Sequence, residues 1–577
     1  MQPAVSQRTL KTCRRWFIAA LAAGIGLAAI GCASPAVRSQ SPEPDEAADA
    51  GTTVELVGDV ARAWGMNFVK VEGVALVNGL AETGSDPPPS PPREMLMADM
   101  RSHKVGRPNQ YLASPTTSLV LLRGFLPPGI QKGDRFDVEV RTAPRSETTS
   151  LAGGWLMLSR LRDVAVLDNE IHQGHVLGLV RGSVLTDALT DDSQDDELQT
   201  RGLVPGGGAA AKSRTLGLVL RKDGPSALAS ATYVSTRINT RFHTFDQGVK
   251  TGVTKPIRDN FLELIVHPRY QDNIARYMRV VRSIPLGESP SDRAARMRLL
   301  ERQLQEPTST AAAALRLEAI GKDSVDTLAR GIKSEDPEIC FYAAAALAYL
   351  DDPRAAVPLA ETARHEPAFR WHALTALGTM DDMAAYDALT GLLHVTSAET
   401  RYGAFRQIRI INAKDPLVRG EMLDDEFAYH VINTSGRPMI HVATTRRAEV
   451  VVFGHDQRLK TPLVLLAGEQ IIIKGEDDEK LTVSCFAPGE DDRREQCSAK
   501  IDDVIRTVVK VGGNYGDVVQ LLQQAKSRNY LEGRLVFDAL PRPGRKFRRK
   551  RELADGLQPA GEELALAAPG GARSPGR

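Results

Sequence analysis

Apolar and polar residues take turns along Phe136-Asp137-Val138-Glu139-Val140-Arg141. That period of two turns one face of a strand to a core and the other to water. The same texture, punctuated by Gly, Pro and Asp, runs from Val54 to about Leu286, in VKVEGVALVNGL, TSLVLLRGFL, DRFDVEVRT and LGLVLRK. Helical spacing is rarer there. It marks residues 93–101, and also 271–281, where Ile274, Tyr277, Met278 and Val281 share one face. From 291 to about 412 the period changes to that of helices throughout, in an Ala-, Leu-, Arg- and Asp-rich stretch. After Asp415 strand texture returns at 448–453, 464–466 and 470–474. A helix pair, 502–511 and 515–524, and a last strand at 534–537 close the pattern.

The helical stretch repeats. Leu317 and Ile320 match Leu347 and Leu350, then Leu374 and Leu377, then Phe405 and Ile408, at spacings of 30, 27 and 31 residues. Acidic or Gly turns follow the first three copies: Gly321-Lys322-Asp323, Asp351-Asp352 and Asp381-Asp382. A helix pair cannot bury both its faces alone, so pairs stack into a curved solenoid. The block resembles short bacterial HEAT-type repeats. The fold class expected is therefore multidomain α+β: β-rich regions, discontinuous in sequence, with an inserted all-α HEAT-like solenoid.

The ends of the chain read as targeting and tether. Arg8, Lys11, Arg14 and Arg15 precede an apolar run, 16–30, that is short for a membrane span. Ala29-Ile30-Gly31-Cys32 resembles a bacterial lipoprotein cleavage site. Residues 1–31 are then a signal peptide, Cys32 carries lipid, and Ser/Pro/Glu-rich 32–53 is a tether. An ordinary signal peptide or a single membrane anchor is the alternative, and Arg14-Arg15 also resembles a twin-arginine signal. Ala33 and Ser34, with no Asp at 33, point the lipid towards the outer membrane. RPGRKFRRKR opens a basic tail, 541–577, read as disordered and solvated, or else in touch with anionic lipid or wall polymer. Between these ends lie roughly 490 residues, enough for three or more domains. The divisions expected are 54–286, 287–415 and 416–540.

Charge and candidate chemistry narrow the function. A net charge of +1 gives no global field for nucleic acid. GGGAAAKS, 206–213, fails as a phosphate loop, because Ala211 stands where a glycine must wrap the β-phosphate. His172-Gln173-Gly174-His175 has no helix and no third ligand for a metal. Ser150 lacks the glycines of a hydrolase elbow. No catalytic, cofactor or metal residues are assigned, and no enzyme is expected. Of five cysteines, Cys13 leaves with the signal, Cys32 takes lipid, and Cys340 sits in an Ala-rich helix. Cys485 and Cys497 are a candidate disulfide in an oxidising compartment.

Three segments, taken in order, resemble the flagellar basal-body P-ring protein family. They are GVALVNGLAETGSD (73–86), LPPGIQKGDRFDVEVRTAPRSETTSLAGGWLMLSRL (126–161) and IDDVIRTVVKVGGNYGDVVQLLQQAKSRNYLEGRLV (501–536). HPRYQDNIARYMRVV (267–281) resembles a family strand-to-helix segment. The inserted helices and the lipid-type cysteine depart from the family pattern. The resemblance implies a periplasmic structural subunit in a homo-oligomeric ring around the flagellar rod. Its partners would be the rod and L-ring components, and its role flagellum-dependent motility. On that reading SLAGG shapes a turn, and the repeats offer a concave surface to an envelope protein. The competing expectation is a monomeric envelope lipoprotein that binds a partner through its repeats.

Overall fold

The computed structural model describes residues 38–39, 54–167, 170–189, 196–221, 227–476, 480–487 and 491–547. The leader, Cys32, most of the tether and the tail beyond 547 lie outside the described residues. Of the tether only Arg38–Ser39 is described, paired with Lys546–Phe547. No described helix is long and apolar enough to cross a membrane.

The alternation around Phe136 builds a closed six-stranded antiparallel barrel. Its circuit runs Arg135–Thr142, Ser118–Leu126, Val69–Asn78, Trp155–Leu167, Glu170–Ser183 and Arg201–Ala210, which pairs again with Arg135–Thr142. Closure removes both sheet edges. The inward positions Val71, Ala75, Val120, Leu122, Phe136, Val138, Val140, Leu161, Val180 and Val204 fill the interior, so the barrel is packed rather than hollow. The helix Pro91–Ser102 lies over the outer wall. There Leu96, Met97 and Met100 join Leu112, Leu119, Val74 and Leu76 in a small satellite core.

A second sheet, Thr254–Arg258, Phe261–Leu264, Leu216–Leu220 and Ala61–Trp64, packs on the helices Ala227–Arg241 and Ile274–Arg282. The sequence pattern starts the second helix at 271. In the structure it begins at Ile274, because Asn273 caps it by accepting the Arg276 N–H at 3.1 Å.

Eight helices follow, in two layers. Thr310–Ile320, Pro337–Tyr349, Arg370–Leu377 and Ala398–Ile411 lie side by side. Pro290–Leu304, Val325–Gly331, Ala356–His365 and Met383–Leu392 back them. The repeated pairs all fall in the first layer, with Leu317, Leu347, Leu374, Leu377, Phe405 and Ile408 fully buried. Acidic turn residues serve as caps: Asp352 accepts from the Arg354 N–H and Asp382 from the Ala384 N–H.

The C-terminal region holds two sheets. One runs Glu421–Leu423, Phe427–Ile432, Glu449–Phe453, Met439–Ala443 and Arg534–Phe537. The other is a meander, Leu463–Ala467, Ile471–Gly475, Leu481–Cys485 and Arg493–Cys497. The helices Ile501–Lys510 and Tyr515–Ser527 close their shared core.

The helical block expected as an insertion is not a separate appendage. A single continuous core runs from Leu218 and Tyr277 through Leu317, Leu347 and Leu374 to Val451, Phe453 and Leu540. The helices thus bridge the second sheet and the C-terminal sheet. Their Ala-rich inner layer explains the close fit, since small side chains let helices approach along their whole length.

Candidate functional site

The residues that carry the P-ring resemblance converge on the joints between these parts. Pro127-Pro128-Gly129 ends a barrel strand where the barrel meets the second sheet. The Arg214 guanidinium donates to the Leu126 and Pro127 carbonyls at 2.8 and 2.9 Å, clamping the turn. Gly129 has φ +67°, and a β-carbon there would stand 2.7 Å from Ile274 Cδ1. Asp134 follows, accepting the Gln131 N–H at 2.8 Å.

SLAGG, 150–154, plays the same part at the other joint. Leu151 is fully buried in the barrel core. A β-carbon on Gly154 would lie 2.4 Å from Val77 Cγ1, which rules out a side chain there. Gly153, at φ +72°, turns its carbonyl outward to accept from Asn514 Nδ2 at 3.3 Å. Asn514 is the N-cap of the helix Tyr515–Ser527, so a barrel turn meets the start of a C-terminal helix across 361 residues of sequence. The glycines shape a turn, and the turn makes the joint.

Further contacts extend the seam. Glu426 Oε2 accepts from Ser183 Oγ on the barrel and from the Tyr515 N–H, both at 3.1 Å. Burial pushes the Glu426 carboxyl above its ordinary range. Asp137, on the barrel's outer face, accepts the Gly206 N–H at 2.8 Å and the Arg446 N–H at 2.6 Å. Its carboxyl is also raised by burial. Leu185 leaves the barrel and packs in the C-terminal core. The two β-rich regions therefore fold together.

The third joint is HPRYQDNIARY. Arg269 reaches Asp351 at 3.0 Å and Asp381 at 2.9 Å, tying two repeat turns together. Asp351 also accepts the Asp381 N–H at 2.9 Å. Behind it, Glu318 is buried in the first repeat helix. It receives Tyr270 Oη at 2.7 Å and a forked pair from Arg276, whose Nε lies 3.0 Å from Oε2. Arg241 grips the Glu318 carbonyl at 2.8 Å. At the far end Arg409 pairs with buried Glu449 at 2.7 Å. The sequence reading missed this network. Its signal was present: Arg316 and Glu318 are charged residues in the otherwise Ala- and Leu-rich stretch TAAAALRLEAI.

The remaining candidates fall elsewhere. GGGAAAKS begins as the barrel strand that completes closure. A β-carbon on Gly208 would lie 2.8 Å from the Phe136 ring, and Gly206, at φ +58°, lets the Arg446 carbonyl approach. The glycines fit protein, not phosphate. His172 to His175 lie in the strand Glu170–Ser183, where His172 stands opposite Ala165; the His172 and Gln173 side chains are outside the described residues. Among the described residues no group of three His, Cys, Asp or Glu could hold a metal ion. Cys485 and Cys497 flank one hairpin, but the ladder sets Cys485 opposite Arg493 and Cys497 opposite Leu481. Four residues of strand, ~13 Å, separate their levels, beyond the Cα spacing a disulfide spans. The structure contains no bond between them.

Two surfaces stand out. The barrel wall exposes Phe125 and Leu158, and the turn before Val69 exposes Phe68. The hairpin His243–Asp246/Val249–Gly252 carries exposed Phe245 and Val249. Between the barrel's outer wall, the helix Pro91–Ser102, the helical block and the strand Arg534–Phe537 lies a cavity of about 2030 Å³.

Comparison with known proteins bears on the first of these regions. Residues 56–301 match the family model for the flagellar P-ring protein. That span takes in the barrel, the second sheet, the joint segment 267–282 and most of the first helix of the block. A curated relative, flagellar P-ring protein 1 of Hahella chejuensis (strain KCTC 2396), is 26% identical over 165 residues. The match spans 28% of this chain and 42% of that protein, so the chain covers less than half of the relative's length. Among solved structures, the complex of CpcE and CpcF of phycocyanin lyase from Nostoc sp. PCC7120 is similar over 21% of this chain and 81% of that one. Identity there is 25%, with a TM-score of 0.18, too low to relate the folds.

Proposed function

We propose that this chain is a structural subunit of a flagellar P-ring-like assembly around the rod in the periplasm, supporting motility without catalysis. The observation that carries the reading is the family match over 56–301, because it takes in the whole barrel and the second sheet. Within it the resembling residues act as joints. Rigid joints suit a subunit whose patches must meet head to tail at a fixed angle to close a circle. Phe68, Phe125, Leu158 and the Phe245/Val249 hairpin are exposed apolar residues of the kind such heterologous contacts use.

The finer features belong to the same proposal. The domains are a signal peptide (1–31), a tether (32–53) anchored through lipid on Cys32 to the outer membrane, the P-ring-like region 54–286, HEAT-like repeats (287–415), the P-ring-like α+β region 416–540 and a basic tail (541–577). The rod and L-ring components are the neighbours, and the repeats add a surface for an envelope protein. Deleting the gene tests the function: swimming halos collapse and the basal bodies lose a ring, both restored by the intact gene. Normal swimming with unaltered basal bodies refutes it.

A further inference from the structure

The strand Arg534–Phe537 is the edge of its five-stranded sheet, and its outer side lines the large cavity. It runs parallel to Met439–Ala443. The Arg534 N–H bonds the Pro438 carbonyl and the Asp538 N–H bonds the Val442 carbonyl, each at 3.0 Å. Residues 534, 536 and 538 thus face the sheet, which turns the N–H and C=O of Leu535 and Phe537 towards the cavity. Neither residue has a backbone partner there among the described residues. Such groups, repeating at ~7 Å, form a template for one more strand.

Charge selects the strand. Nine arginines line the cavity against six carboxylates. Three of those carboxylates are already held by lining arginines: Glu72 by Arg123, Asp99 by Arg160, and Glu399 by Arg370 and Arg545. Arg141 on the barrel wall, with Arg534 and Arg542 on the edge side, has no carboxylate partner among the described residues. The cavity of about 2030 Å³ has room for a short peptide. A small anion would leave the backbone template unused, whereas a polypeptide strand with carboxylates on alternate residues meets both demands.

We infer that the cavity is a docking groove for an extended acidic segment of a partner protein, added as a strand on Leu535 and Phe537 and held by Arg141, Arg534 and Arg542. This docking holds whether or not the chain closes into a ring.

The test uses the full chain and a fluorescent acetyl-TVEVEVEVT-amide peptide. Two control peptides accompany it: TVKVKVKVT, and the acidic peptide N-methylated on alternate residues. The acidic peptide is expected to bind about tenfold or more tightly than either control, with weakening by salt. It should also slow amide exchange at Leu535 and Phe537. The exposed-site double variant Arg141→Glu/Arg542→Glu should lose about tenfold in affinity with its urea midpoint unchanged. Equal binding of the three peptides, or none, overturns the proposal. So does a gain of about tenfold or more in peptide affinity when Glu43, Asp45, Glu46 and Asp49 are changed to Ser, since the chain's own N-terminal segment would then be the occupant.

Discussion

Replacing Glu318 by alanine probes the joint between the family-like region and the helical block. In the folded chain its carboxylate is fully buried and receives Tyr270 Oη and two Arg276 nitrogens. Removing it leaves the Arg276 guanidinium, itself only 11% exposed, buried without its carboxylate partner. Breaking one side of such a pair costs about 3–5 kcal/mol, mostly the uncompensated buried charge. Arg276 keeps only its place over the Tyr349 ring, 4.6 Å from the centroid, worth ~1–2 kcal/mol and already present in the parent. The second change, Arg276→Met, removes the stranded charge, so Glu318→Ala/Arg276→Met is expected to regain ~2 kcal/mol over Glu318→Ala. Urea unfolding followed by tryptophan fluorescence reads this well, because Trp64, Trp155 and Trp371 sit in the second sheet, the barrel and the helical block. All three should report an earlier transition in the single variant. A loss below ~1 kcal/mol, or a double variant equal to the sum of two independent losses, refutes the reasoning.

Other outcomes follow from the same contacts. Gly206→Ala places a β-carbon 2.3 Å from the Arg446 carbonyl at φ +58° and should cost about 1–3 kcal/mol in urea, while Gly133→Ala, with open space around it, should cost only the ~1–2 kcal/mol of its backbone angle. His441 is buried, stacks on Tyr402 and accepts the Ala539 N–H at 3.0 Å; burial holds its folded pKa at about 3. Its contribution is complete above the unfolded value of 6.5 and is lost as pH falls from there towards about 3. His441→Phe should flatten the stability-versus-pH curve in that window by up to ~1.4 kcal/mol per pH unit. An unchanged slope contradicts this. Alkylation of the unfolded, unreduced chain should modify both Cys485 and Cys497, and mass spectrometry showing them protected would mean they are bonded after all.

The sequence exposed the parts better than their joints. Alternation at Phe136 to Arg141 was legible because that strand's own period reports its buried face. The buried face of the helices was legible for the same reason, since Leu317, Leu347, Leu374 and Phe405 stand where helical spacing places a core-facing residue. The bridging role of the helices was not. It depends on Arg276 meeting Glu318 and Arg409 meeting Glu449, pairings between residues 42 and 40 apart that no local pattern encodes. The cavity was hidden likewise, because its walls come from the barrel, the helical block and the last strand. SLAGG was readable as a turn but not as a joint, since its partner Asn514 lies so far along the chain.

Whether this chain builds a closed ring is decided most directly by imaging basal bodies purified in detergent, with an epitope tag on the subunit. The account predicts many copies in one circle around the rod, with the barrel regions in repeating head-to-tail contact. Tagged protein recovered only as single copies apart from the basal body would contradict it.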